Sequence, residues 1–462
     1  MRTNPPDAAQ DESPLHAAGR KNEQCRLRAW AGLAIAALAL AGSPSLLLAA
    51  SRVPGVENFA FWPLDYFRRA LVVHVALSIV VWTLACFGAL AQIATLGSPA
   101  RGTRLARLGP IAPAMGWLAL PFLVVPGFAN LGEASLNNYV PVILHPLYGV
   151  GLALVFGGVF LAVVRLLANF SNTGERPDPA VFGLAVVGVV YLAALACFGI
   201  ASLALGSGPH GESHMEELFW GGGHLLQFVN LGLMLTGLYL LMAGWSGRAP
   251  MSPGRMMLVF AILLLPALAA PSLYLFEDNR LYFSKLKFLA AVPAFLFLAF
   301  VRISPMEVRS RRRFSDPAFL SVFLSMALFA LGGFLGFFID GADTGTPGHY
   351  HGVLGAVNVV LIGLFHDLIL PMLNRPPTKL KRISWILCLY ASGQALQCVG
   401  LFLAGGYGAP RKTAGADQGL EHVGAFVGMY LNGIGATIAI VGGALFIWTA
   451  GLRLIKKPTA SA

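Results

Sequence analysis

Apolar residues in this chain come in long runs that recur from one end to the other, separated by short polar segments. A helix crosses a bilayer with roughly 20 apolar residues. By that ruler the runs make twelve spans, with limits near 29–50, 67–95, 110–131, 140–167, 180–205, 216–245, 255–276, 283–302, 317–340, 349–373, 382–405 and 421–454. The loops between them are too short to hold a soluble domain. The pattern predicts an all-α polytopic membrane protein in three parts: a disordered tail over 1–27, one twelve-helix transmembrane domain over 28–456, and a short tail over 457–462. The first run follows a polar leader with Arg20, Lys21, Arg26 and Arg28. It is too long for the apolar region of a signal peptide, so it reads as a retained span.

Composition agrees. The 462 residues are 56% hydrophobic and 11% charged, with a mean hydropathy of +0.70, too apolar for a soluble domain of this length. A net charge of +11 in a soluble chain would suggest nucleic acid; here its distribution gives it another meaning, and no nucleic-acid partner is expected. With the N-terminus inside, 24 of the 32 Lys and Arg fall on inner segments and 8 on outer ones, while outer loops hold 12 of the 21 acids. That alternation places both termini in the cytoplasm, with a bacterial inner membrane as the expected location and the lipid bilayer as the first partner. The five cysteines form no CxxC and no CxxCH, so the chain has no covalent c-type haem site and no disulfide framework to read.

The histidines carry the chemistry. His74 lies about two turns into span two and His224 about two turns into span six, while His349 and His351 open span ten. His145 and His422 open spans four and twelve, and only His366 lies deep. A single intramembrane histidine is as well explained by a hydrogen bond to a neighbouring helix. Four at one depth on spans two, six and ten point to a cofactor layer parallel to the membrane, because ionisable groups in spans are costly and usually functional. On an α-helix His349 and His351 point about 200° apart, so the HYH pair can give one axial ligand to each of two haems. Gly348, Gly352 and Gly355, and the GGG run before His224, would let a macrocycle approach its helix, although glycine also serves ordinary helix packing.

Three stretches, HYHGVLGAVNVVLIGLFHDLILP in span ten, FRRALVVHVAL in span two and ELFWGGGHLLQF in span six, together with the number of spans, resemble the haem–copper oxidase superfamily, catalytic subunit I, including its nitric oxide reductase branch. The resemblance implies that His74 and His351 are the axial pair of a low-spin haem. It implies that His349 is the proximal ligand of a high-spin haem, with His224 a ligand to a second, non-haem metal facing it. It also implies electron transfer from the low-spin to the high-spin haem toward oxygen or nitric oxide. The implied partners are a companion subunit bearing c-type haem or dinuclear copper and an external donor such as cytochrome c.

The chain departs from that family where an adjacent histidine pair should complete the second metal site. The region reads PSLYLFEDNRLYF, with Tyr274 and Leu275 near the expected position, and Phe228 stands one turn after His224. Tyr274 and Gln227 are the candidate catalytic polar groups, and Glu217 the candidate carboxylate beside His224; each also reads as a packing or hydrogen-bonding residue. One imidazole is a poor copper site, so a normal copper is not expected, and iron or zinc with help from Glu217 or Glu277 suits these donors better. Two further readings stay open. One is a divergent haem-binding electron-transfer or partner subunit without gas reduction. The other is a haem-free, proton-coupled transporter, which the shared outer depth of the histidines opposes because transporter sites lie near the midplane.

Overall fold

The computed structural model describes residues 14–59, 61–96, 104–170, 178–206, 211–302, 315–339, 341 and 343–458. Twelve helices long and apolar enough to cross a membrane run in order. They are span one Lys21–Ser51, two Leu64–Thr95, three Leu108–Phe128, four Pro146–Phe170, five Pro179–Leu205 and six Glu212–Ser246. Spans seven to twelve are Pro253–Leu275, Asn279–Phe300, Pro317–Phe338, Gly345–Met372, Leu380–Gly406 and Val423–Ile455. The expected all-α, twelve-span architecture is the observed one.

Two boundaries differ from expectation. Span four begins at Pro146 rather than near residue 140, because the preceding apolar stretch forms a short antiparallel hairpin, β1 Ala134–Ser135 with β2 Val142–Ile143. The helix containing span one starts at Pro14, so residues 14–27 are helical and not part of an unordered tail. The leader is tied to a buried charge in span four. The Arg165 guanidinium, 3% exposed, is met by both carboxylate oxygens of Glu23 at 3.0 Å and by Gln92 Oε1 at 2.7 Å. Glu23 also takes bonds from Arg26 and Gln92. A buried cation needs such a counter-charge, and the polar leader supplies it.

Spans two, six and ten are the three most buried, and they are the three that carry the intramembrane histidines. Spans seven, eight and twelve have the smallest share of buried residues, as suits helices whose apolar side chains can face lipid tails. Backbones approach closely where glycines meet. A Cβ on Gly352 of span ten would strike Gly332 of span nine, and one on Gly400 of span eleven would strike the backbone of Asn432 in span twelve. Spans two and ten each contain a π-helical turn, Ala76–Val81 just after His74 and Phe365–Ile369 around His366. Such turns re-aim the residues beside them and recur at functional sites.

The loops after spans one, three and eleven meet the starts of spans two, six and eight at one end of the bundle. Arg52 bonds the Thr413 carbonyl at 3.2 Å, Arg411 bonds Asn138 at 3.1 Å, and Arg280 pairs with Glu217. This is the histidine end. Two of its histidines are helix caps: His145 Nδ1 accepts from Leu147 N–H and His422 Nδ1 from Gly424 N–H, the latter ring stacked on Tyr407 at 4.1 Å.

Candidate functional site

All four histidines expected to hold cofactors, His74, His224, His349 and His351, border one cavity of about 1330 Å³ inside the bundle. Drug-sized ligands sit in pockets of about 300–1,000 Å³, so this space exceeds the need of one such molecule. Its walls are largely apolar, and they include a buried chain in which Trp82 donates to Asn358 at 3.0 Å and Asn358 donates to the Tyr390 hydroxyl at 2.8 Å.

Three of these imidazoles are held the same way. Nδ1 of His74 lies 2.9 Å from the Ala41 carbonyl of span one. Nδ1 of His349 lies 2.7 Å from the Gly332 carbonyl of span nine. Nδ1 of His351 lies 2.9 Å from Oε1 of Gln394 in span eleven. A carbonyl oxygen only accepts, so each Nδ1 carries the proton and the lone pair is on Nε2. That is the tautomer of a histidine that binds metal through Nε2, with its other nitrogen anchored by a neighbour.

Glycine makes one of these anchors reachable. A Cβ on Gly336 would strike the His349 ring, and the Gly332–Gly352 approach brings span nine's carbonyl within hydrogen-bond distance of His349. The glycines of span ten do a different job from the one expected. Gly348 lies against Cys398 and Phe402, Gly352 against Gly332, and Gly355 against Gln394. They seat neighbouring helices, and of the three only Gly355 also borders the cavity.

His224 shares the Nδ1 anchor and differs at its other ring nitrogen. Its Nδ1 donates to the Trp220 carbonyl at 2.7 Å, one turn back, and its Nε2 accepts from the Tyr139 hydroxyl at 2.8 Å. Glu217 does not join it as a ligand; it pairs with Arg280, whose guanidinium lies 4.4 Å over the Trp220 ring. Glu277 is exposed. Gln227 borders the cavity, but Tyr274 is not among its walls, its hydroxyl being buried against Gly221 and its ring 5.1 Å from Phe283. Among the described residues no group of three His, Cys, Asp or Glu side chains converges on a metal position. His210, part of the acidic segment before span six, lies outside the described residues.

The cavity also has a cationic rim that the sequence reading missed. Arg52, Arg411 and Lys412 line it at the histidine end. Burial brings the Arg52 guanidinium down to about 10, still fully charged at neutral pH. Burial first, then the neighbouring Arg411, pushes the Lys412 ammonium down to about 8. A signal existed: Arg411 and Lys412 form a basic pair in a loop that the charge alternation otherwise leaves poor in cations. Gln394 and Tyr139 gave no comparable signal.

Comparison with known proteins adds a family. An uncharacterized protein of Rickettsia prowazekii (strain Madrid E) is 24% identical over 95% of this chain and 97% of its own length. An uncharacterized protein of Aquifex aeolicus (strain VF5) is 29% identical over 72% of this chain and 82% of its own. A family model described as cytochrome c and quinol oxidase polypeptide I matches residues 27–438, nearly the whole bundle that surrounds the four histidines. On that match, the chain belongs to the cytochrome c and quinol oxidase polypeptide I family.

Proposed function

We propose that this chain is the haem-binding subunit of a membrane oxidoreductase, with His74 and His351 as the axial pair of a low-spin haem and His349 as the single protein ligand of a high-spin haem. The observation that carries the reading is the set of three Nδ1-anchored imidazoles around one cavity. Haem suits the chemistry of this space: apolar walls for the macrocycle, Nε2 lone pairs for the iron, and Arg52, Arg411 and Lys412 for its acidic side groups. When bound, it supplies a one-electron iron couple and, where the protein fills only one axial position, a place for a diatomic ligand.

The residues of the chain do the rest. Ala41, Gly332 and Gln394 fix each imidazole plane and tautomer, which lowers the reorganisation that accompanies a change of charge. His349 and His351 stand on nearly opposite sides of span ten, so a single helix separates the two haem positions and also links them. Electrons enter at the histidine end, which faces outward on the charge alternation. The outer segments hold 12 acids against 8 Lys and Arg, an excess that favours a basic donor such as a cytochrome c or a companion subunit carrying c-type haem or dinuclear copper. The terminal acceptor is oxygen or nitric oxide. The test is stoichiometry: the purified protein should carry two non-covalent haems per chain, and His74→Leu and His349→Leu should each lose one. A haem-free preparation from haem-replete cells would overturn the reading.

A further inference from the structure

We infer that His224 is not a metal ligand in this chain: it is the accepting half of a metal-free hydrogen-bonded pair with Tyr139, and that pair is the polar group which a diatomic ligand at the His349 haem meets. The second half of this inference rests on the haem reading above; the first half does not.

Both ring nitrogens of His224 have protein partners. The Trp220 carbonyl takes the Nδ1 proton, which leaves Nε2 as the acceptor, and the Tyr139 hydroxyl donates to it at 2.8 Å. A metal on Nε2 would have to displace that hydroxyl. The carboxylates near it are already used: Glu216 accepts from the backbone N–H of Asn138 at 2.7 Å and from its side chain at 2.6 Å, and Glu217 pairs with Arg280.

The pair is built, and at a cost. Tyr139 has φ of +66°, in the left-handed region, which a non-glycine residue keeps only where its surroundings over-determine it. Here they do. Asn138 is clamped by Glu216 and by Arg411, and Asn137 donates to the Val140 carbonyl at 2.5 Å. The Tyr139 ring then sits on span six, 4.6 Å from the His224 ring and edge-on to Trp220 at 5.8 Å. Only glycine at 223 permits this, since a Cβ there would lie 2.5 Å from Tyr139 Cβ. The GGG run is thus explained at its third position by a tyrosine and not by a macrocycle.

Burial, with Tyr350 and Glu216 nearby, drives the Tyr139 phenol well above its ordinary value. With His224 as its acceptor, the group stays an O–H donor. Tyr139 and His224 line the same cavity as His349 and Tyr350, and Tyr350, next to His349 in the chain, is near enough to act on the Tyr139 phenol. No proton leaves the pair, and both of its protons are committed, one to the Trp220 carbonyl and one to Nε2; what it presents to a ligand is a fixed dipole with the Tyr139 oxygen lone pairs.

Two measurements on the full-length protein in detergent test this. In the first, wild type, His224→Ala and His224→Gln are incubated with copper(I) and, separately, zinc(II), desalted, and analysed for non-haem metal. The three should retain equal amounts. One equivalent held by wild type and lost from both variants would overturn the inference, whether or not haem is present. In the second, the infrared C–O stretch of the ferrous carbon monoxide complex is recorded. Tyr139→Phe and His224→Gln should each displace it, and the double variant should move it no further than the larger single change, because the two act as one unit. A stretch unmoved by either substitution, with low-spin haem bands intact, would show that the pair does not meet the ligand. Absence of haem would sink the functional reading and leave the metal test to decide the pair.

Discussion

Gln394 accepts the Nδ1 proton of His351 through its side-chain carbonyl at 2.9 Å, a bond between residues 43 positions apart on spans eleven and ten. His74 and His349 use main-chain carbonyls for the same purpose, so His351 alone of the three depends on a side chain that can be changed.

Gln394→Leu removes that acceptor and strands a buried N–H, a loss of about 1–3 kcal/mol. We expect the low-spin haem to be retained less fully and its reduction potential to rise, because the axial imidazole becomes a weaker donor. Gln394→Glu, a stronger acceptor, should lower the potential. Redox titration of the low-spin band checks both; identical potentials in all three proteins would remove Gln394 from this role.

Glu23 should matter for stability and not for the site. Glu23→Ala leaves Arg165 buried without its counter-charge, which typically costs about 3–5 kcal/mol. Thermal unfolding in detergent should show a clear drop in midpoint, with most of it restored by adding Arg165→Met. A single variant as stable as wild type would mean that the N-terminal helix is not anchored through this pair.

The spans were legible because a bilayer imposes one length on apolar runs, and the histidines because an imidazole in such a run stands out. What surrounds them was not. The Ala41 and Gly332 carbonyls belong to the backbone and leave no mark in a sequence. Tyr139 was hidden because its hairpin, two strands of two residues, reads as the start of span four. The polar leader looked unstructured because Glu23's partner, Arg165, lies 142 residues away.

Lys412 gives a pH dependence with a definite sign. Its folded value, about 8, lies below the ordinary 10.5. Between those values the unfolded chain holds the proton more tightly, so stability of the haem-free protein should rise with pH from about 8 to 10.5. Lys412→Met should flatten the rise. An acidic side group bound beside it would favour the ammonium and move the window upward. A profile that falls over this range, or one unaffected by the substitution, would contradict the burial of this charge.

Topology is open to a direct assay. A reporter active only outside the cytoplasm, fused after Ala462, should stay silent, and the same reporter inserted in the loop between spans eleven and twelve should be active. The reverse pattern would turn the histidine end inward and move the electron entry to the other face.

The central claim is that the two histidines of HYH serve two different haems. Reduced-minus-oxidised spectra of His351→Leu and His349→Leu, each with and without carbon monoxide, separate the two. The account predicts that His351→Leu abolishes the sharp low-spin bands and keeps a carbon monoxide-reactive haem, while His349→Leu keeps the low-spin bands and loses the carbon monoxide response. Low-spin bands unchanged in His351→Leu would contradict it.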